Sequence, residues 1–176
     1  GWDVGCVPDL LPGSQLSQNN DALTRINDLW GGSLPDQLGL GVDDMFRAAV
    51  DGRIGSMLLI GDHASYSDGT LGDVATALQG LEFLVVTDQF LSPVAQVADV
   101  VLPSSTALEK SGTYTNFERR VQPLKQVFRS KFADSREDFD IICELAKRMG
   151  ISGFGYQTPA DVLIEIARVV PTYSGI

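Results

Sequence analysis

The chain is poor in the side chains that usually carry metal or nucleophilic chemistry. It has two cysteines, Cys6 and Cys143, and a single histidine, His63, among 176 residues. The thiols lie far apart and make no ligand motif, whereas an iron–sulfur cluster is held by a set of thiolates. They read as buried thiols of a reducing compartment. His63 has no nucleophile or second ligand at a spacing that implies catalysis, so it reads first as an exposed loop residue. Positive charge is scarce too: 13 Lys and Arg face 23 Asp and Glu, a net charge of −10. Such a chain is repelled by phosphate backbones, which argues against a nucleic-acid partner. No apolar run approaches the roughly 20 residues needed to span a bilayer, so direct membrane insertion is not expected. The first residues, from Gly1 to Cys6, show neither a basic nor an apolar leader region.

What remains is an ordinary globular composition, 44% hydrophobic, with enough length for a real core. Residues 1–16 hold Pro8, Pro12 and Gly13 and read as a loop. Asn20 is placed as the cap of a helix over 21–30, with Leu23, Ile26, Leu29 and Trp30 on one face, stopped by Gly31 and Gly32. Gly39-Leu40-Gly41 has no strand before it, so it reads as a turn rather than a dinucleotide loop. A helix over 42–50 follows, with Met45, Phe46 and Ala49 inward. Unbroken apolar runs then mark three buried strands: 56–60, 83–86 and 100–102. Between them fall helices over 70–78 and 93–98. Alternating strands and helices predict parallel pairing, hence an α/β, three-layer domain with a small parallel sheet. Residues 107–128 read as irregular with short extended pieces. Ser135 is placed as the cap of a helix over 136–149, with Phe139, Ile142, Cys143, Leu145 and Ala146 inward, and Thr158-Pro159 opens the last helix, 160–169. The whole chain, 1–176, is expected to be one domain cut from a larger protein.

Ligands of open parallel sheets bind at the carboxyl ends of the strands, so the residues there are the first candidates. They are Gly61, Asp62, His63 and Ser67 after the first strand, and Thr87 and Asp88 after the second. The carboxylate of Asp88 can accept hydrogen bonds from a ligand, or else cap the following turn. Asp99 reads as ordering the entry to the third strand. Beyond that strand lies a polar run that packs Gly112, Thr113, Thr115, Asn116, Glu118, Arg119 and Arg120 together. The guanidiniums of Arg119 and Arg120 suit pyrophosphate or carboxylate, or pair with Glu109 or Glu118. Gly112, Thr113 and Asn116 can donate to a ligand or make local turn bonds.

The same residues carry a resemblance. Ala98-Asp99-Val100-Val101-Leu102-Pro103, followed by Glu109, Lys110, Gly112, Thr113, Thr115, Asn116, Glu118, Arg119, Arg120, Val121 and Gln122, resembles the late part of the catalytic subunit of molybdopterin oxidoreductases. The pattern there is A-D-V-V-L-P, then E-K-x-G-T-x-T-N-x-E-R-R-V-Q. The run Asp3, Gly5, Pro8, Pro12, Gly13 and the stretch 138–150 match further family patterns, so the likeness covers about 3–150. It implies the middle-domain fold of formate dehydrogenases and dimethyl sulfoxide reductases. It also implies a half-site for one molybdopterin guanine dinucleotide, with iron–sulfur clusters elsewhere in the parent and none in this chain. Isolated, the chain would be inactive. The implied partners are other domains of the parent and other subunits of a redox complex. The implied location is the cytoplasm, at the face of a membrane complex for one of the two parents.

Those parents are the large iron–sulfur subunit of NADH-quinone oxidoreductase and a formate-dehydrogenase-like enzyme. Where the family has G-E-N/D-P after the first strand, this chain has Gly61-Asp62-His63-Ala64. The change removes a proline that stiffens the loop and inclines the reading toward the first parent, with weak or absent pterin binding. A nucleotide-binding middle domain of the thiamine-diphosphate type is the alternative outside the family, and the Asn116-Phe117-Glu118-Arg119-Arg120 run speaks against it.

Overall fold

The computed structural model describes Val4, Gly5, residues 7–32, 34, 35, 37–61, 74–132 and 134–175. Asp62, His63 and Ser67, like Cys6 and the first turn of the expected helix over 70–78, lie outside the described residues. Contacts divide the chain into two compact units. One comprises Gly1–Gly41, Gly112–Pro123 and Leu145–Ile176, the other Val42–Ser111 and Leu124–Glu144.

The second unit holds the parallel sheet. Its strands are β3 (Ser56–Ile60), β4 (Phe83–Asp88) and β5 (Val100–Pro103), in the order β3-β4-β5. All neighbours are parallel, with Leu58 opposite Val85 and Val85 opposite Val100. Continuous apolar runs produced this pairing as expected. Side chains alternate across a sheet, so Met57, Leu59, Leu84, Val86 and Val101 share one face. There they meet Phe46 and Ala49 of α2 (Val42–Val50), Val74, Ala77 and Leu78 of α3 (Val74–Gln79), and Val94 and Ala95 of α4 (Pro93–Gln96). Leu84 and Val86 are fully buried, and each such side chain is worth about 1.5–3 kcal/mol. The other face carries Leu58, Ile60, Phe83 and Val100, all exposed. This corrects the reading of 56–60 and 100–102 as wholly buried: a continuous apolar run does not say whether both faces are covered.

Local chemistry fixes the entry and exit of each strand. Leu84 N–H donates to Asp99 Oδ2 at 2.7 Å, and Asp99 N–H donates back to Leu84 O at 3.0 Å. Asp99 therefore orders the start of β5, as expected. Ser92 Oγ caps α4 by accepting from Ala95 N–H. Arg136 corrects the expected helix start. It forms a parallel bridge with Ser104, donating to Pro103 O and accepting from Ser105 N–H. With its backbone so engaged, α5 begins at Asp138 and runs to Arg148. Ile141 is buried on α5, while Ile142 and Leu145 are exposed, against expectation.

In the first unit, residues 1–16 are not wholly irregular. Leu10–Leu11 (β1) pairs antiparallel with Gln15–Leu16 (β2) across Gly13 and Ser14, both of positive φ. A Cβ on Gly5, at φ 72, would run into the Ser14 backbone. Helix α1 (Asn20–Trp30) is capped by Asn19, one residue earlier than expected: its side chain accepts from Ala22 N–H, and Gly31 at φ 67 ends the helix. Helix α6 (Pro159–Val169) follows the extended N-cap Thr158, with Pro159 at its first position. Ala22, Ile26, Leu11, Val169 and Val170 form the core of this unit. The short extended pieces expected within 107–128 are the strands β6 (Gly112–Thr115) and β7 (Val121–Leu124), which form a two-stranded sheet.

Candidate functional site

The described residues among those expected at the site fall into two groups, one in each unit. The first lies along the carboxyl edge of the sheet. Gly61, at φ 60, donates its N–H to Thr87 O at 2.8 Å, and Ser104 donates to Asp88 O at 2.9 Å. These bonds set the ends of β3, β4 and the continuation of β5 side by side. Four polar side chains are buried here: Thr87, Asp88, Ser104 and Ser105. Asp88 Oδ1 accepts from Phe90 N–H at 3.1 Å, an Asx turn that turns the chain out of β4. Thr87 and Ser105 are 1% and 2% exposed, and neither hydroxyl has a hydrogen-bond partner among the described residues. A buried polar group without a partner costs about 1–3 kcal/mol, so two on one sheet edge call for an explanation. Ser104 and Ser105 were missed in the sequence. The rule that selected Thr87 and Asp88, polar residues just past an apolar strand, would have found them after Pro103.

The second group is the β6–β7 hairpin, with Gly112, Thr113, Asn116, Arg119 and Arg120. Asn116 is the tip's organiser. Its Oδ1 accepts from Glu118 N–H at 2.9 Å and Arg120 N–H at 3.0 Å, while its backbone exchanges bonds with Arg119 and Arg120. Its side-chain oxygen is therefore spent on the turn. Arg119 holds φ 60 to close that turn, a conformation that costs an L-residue roughly 1–2 kcal/mol. Arg120 Nε lies 3.6 Å from Glu118 Oε2, and both side chains are exposed, so the pair adds little stability. Phe117 at the tip is 98% exposed.

The root of this motif belongs to the sheet-bearing unit. Lys110 Nζ pairs with Asp138 Oδ2 at 2.5 Å, both about a quarter exposed. Glu109 accepts from Thr106 N–H, which holds its carboxyl below the usual range. Burial and the neighbouring Asp140 push Glu137 up. Partial burial, with Asp140 nearby, likewise pushes the Cys143 thiol up. Among the described residues no cluster of His, Cys, Asp and Glu could hold a metal ion. No helix among them is long and apolar enough to cross a membrane.

Comparison with known proteins now gives the edge its context. Residues 14–148 match the family model of the molybdopterin oxidoreductases. The chain belongs to this family. It is 38% identical over 174 residues to the Bacillus subtilis protein named "Probable oxidoreductase YjgC", covering 99% of this chain and 18% of that protein. It is 36% identical, over the same shares, to a "Putative formate dehydrogenase" of Staphylococcus aureus. The chain thus spans about a fifth of the length of the curated relatives it matches. Among solved structures, acetylene hydratase from Pelobacter acetylenicus superposes with a TM-score of 0.60 at 20% identity, over 88% of this chain and 22% of that one. That likeness establishes a shared fold.

The family implies a molybdenum–pterin cofactor in the parent, and the residues of the sheet edge fit such a group. Hydroxyls donate or accept, and a carboxylate accepts from ring N–H and exocyclic amine groups. Thr87, Ser105 and Asp88 thus offer a mixed donor and acceptor set to a polar group.

Proposed function

We propose that this chain is the part of a formate-dehydrogenase-like molybdopterin oxidoreductase that holds the nucleotide end of a pterin guanine dinucleotide. The observation that carries the reading is the pair of buried hydroxyls of Thr87 and Ser105, without a hydrogen-bond partner among the described residues, beside the buried Asp88 at the carboxyl edge of a parallel sheet. In this reading the three residues orient the nucleotide and keep water from its edge. The cofactor, when bound, supplies two-electron redox chemistry at its metal, and the protein supplies position and electrostatics. The named relatives favour formate-dehydrogenase-like chemistry for the parent. Other domains of the parent are the expected partners. Exposed apolar side chains on the free sheet face support this, because a contiguous patch of that kind marks an interaction surface.

A second reading keeps the fold but not the cofactor: a scaffold domain in the large iron–sulfur subunit of NADH-quinone oxidoreductase. It rests on the Gly61-Asp62-His63-Ala64 sequence. Metal and pterin analysis of the purified whole protein decides between them. Near-stoichiometric molybdenum or tungsten together with pterin is expected, and absence of both would overturn the first reading in favour of the second.

A further inference from the structure

A cavity of about 350 Å³ opens in the first unit, well separated in sequence from the strand-end residues. Leu29 and Trp30 at the end of α1, Glu165 of α6, and Ile151, Phe154 and Tyr156 of the connection between α5 and α6 line it. The wall is aromatic on three counts. The Phe154 and Tyr156 rings meet edge to face, centroids 6.1 Å apart at 77°, and Trp30 adds the indole. A single carboxylate, that of Glu165, is set among them. Trp30 Nε1–H donates to Glu165 Oε1 at 2.9 Å, and Tyr156 O–H donates to Glu165 Oε2 at 2.7 Å. Both donors are neutral, so they hold the carboxylate in place without neutralising it.

That combination selects for charge. The negative faces of aromatic rings attract a cation, and a weakly hydrated organic cation gives up its water most readily. An anion would meet the Glu165 carboxylate. A neutral apolar guest would take water from a charge and return nothing. We propose that this cavity binds the head of an organic cation, an alkylammonium or guanidinium group. The head belongs either to a free small molecule or to a basic side chain on another part of the whole protein. The two sources share the same chemistry, and the test separates them.

The chain has two tryptophans, Trp2 and Trp30, so an amide and indole correlation spectrum of the full 176-residue chain carries two indole signals. Trp30→Phe assigns the one bonded to Glu165. Titration with tetramethylammonium and with arginine amide is expected to shift that signal saturably. Neopentyl alcohol, an uncharged mimic of similar shape, is expected to leave it in place. Glu165→Gln keeps the acceptor for Trp30 and removes the charge, and should weaken cation binding about tenfold or more. Tyr156→Phe keeps the ring and tests the cage should Glu165→Gln fail to fold. Equal response to the neutral mimic, or no response to either cation, would overturn the proposal. Calorimetry on the whole protein identifies the source. Binding there as well indicates a free ligand, whereas binding to the 176-residue chain alone indicates a site already filled by a basic side chain.

Discussion

Replacing Thr87 by valine is expected to stabilise the chain when no cofactor is bound. Thr87 is 1% exposed and its Oγ1 makes no hydrogen bond among the described residues. Folding therefore strips that hydroxyl of water and returns nothing, at a cost of about 1–3 kcal/mol. Valine keeps the branched shape and its stiffness, so Thr87→Val opens no cavity. The expected gain is about 1–2 kcal/mol, the lower part of that range, because local relaxation already softens the penalty. A chain of this length gains roughly 2–4 °C in Tm per kcal/mol. Urea denaturation followed by far-UV circular dichroism, with a thermal scan alongside, reads the effect. Ser105→Ala should move in the same direction by a smaller amount, since it leaves a small void. A Thr87→Val chain less stable than the parent sequence would refute the reasoning, because the hydroxyl must then have a partner in solution. A stabilising substitution at a candidate ligand position is what a site built for something other than stability should show.

Arg119→Gly relieves the left-handed backbone at φ 60, and after the entropy cost of glycine a net gain of about 0.5–1 kcal/mol should appear in the urea midpoint. A loss would show that the arginine side chain holds the turn. Lys110→Met breaks the partly buried pair with Asp138 and leaves a half-buried carboxylate, so a loss of about 1–2 kcal/mol is expected in the same assay. An unchanged midpoint would place that pair with the inert surface ones. The Asp161 carboxyl is held below its usual range by the N–H groups of Thr158 and Gln157. A carboxyl lowered on folding stabilises above its unfolded value and loses that contribution as pH falls through the folded one. Amide exchange at the start of α6 should therefore quicken on acidification, and Asp161→Asn should flatten that dependence. A variant as pH-sensitive as the original would assign the effect elsewhere.

Much of the sheet was legible because its strands are short apolar runs separated by helical segments, which leaves parallel order as the natural solution. The exposure of Leu58 and Ile60 was not legible, since it depends on what covers the second face and the run itself is apolar at every position. The β1–β2 turn was hidden because Ser14, not a glycine, takes positive φ beside Gly13. The start of α5 was misplaced because Arg136 spends its backbone on Pro103 and Ser105, a long-range demand that no local capping rule contains. Of the candidate site, Thr87 and Asp88 followed from the strand-end rule alone. Asn116 was read with both turn and ligand roles open, and its two backbone bonds settle its oxygen on the turn. The loss of solvent at Thr87 and Ser105 could be seen only in three dimensions.

Nucleotide retention by the whole protein tests most directly whether this sheet edge holds the nucleotide. Purified wild type and the Thr87→Val/Ser105→Ala double variant are denatured in acid, and the released guanine nucleotide is measured per chain. Losing two neutral hydrogen bonds of about 0.5–1.5 kcal/mol each weakens binding by roughly 5- to 150-fold. After dialysis the double variant is therefore predicted to keep much less nucleotide than wild type while being the more stable protein without it. Equal retention by the two proteins would contradict the account and move the site away from the edge of β3, β4 and β5.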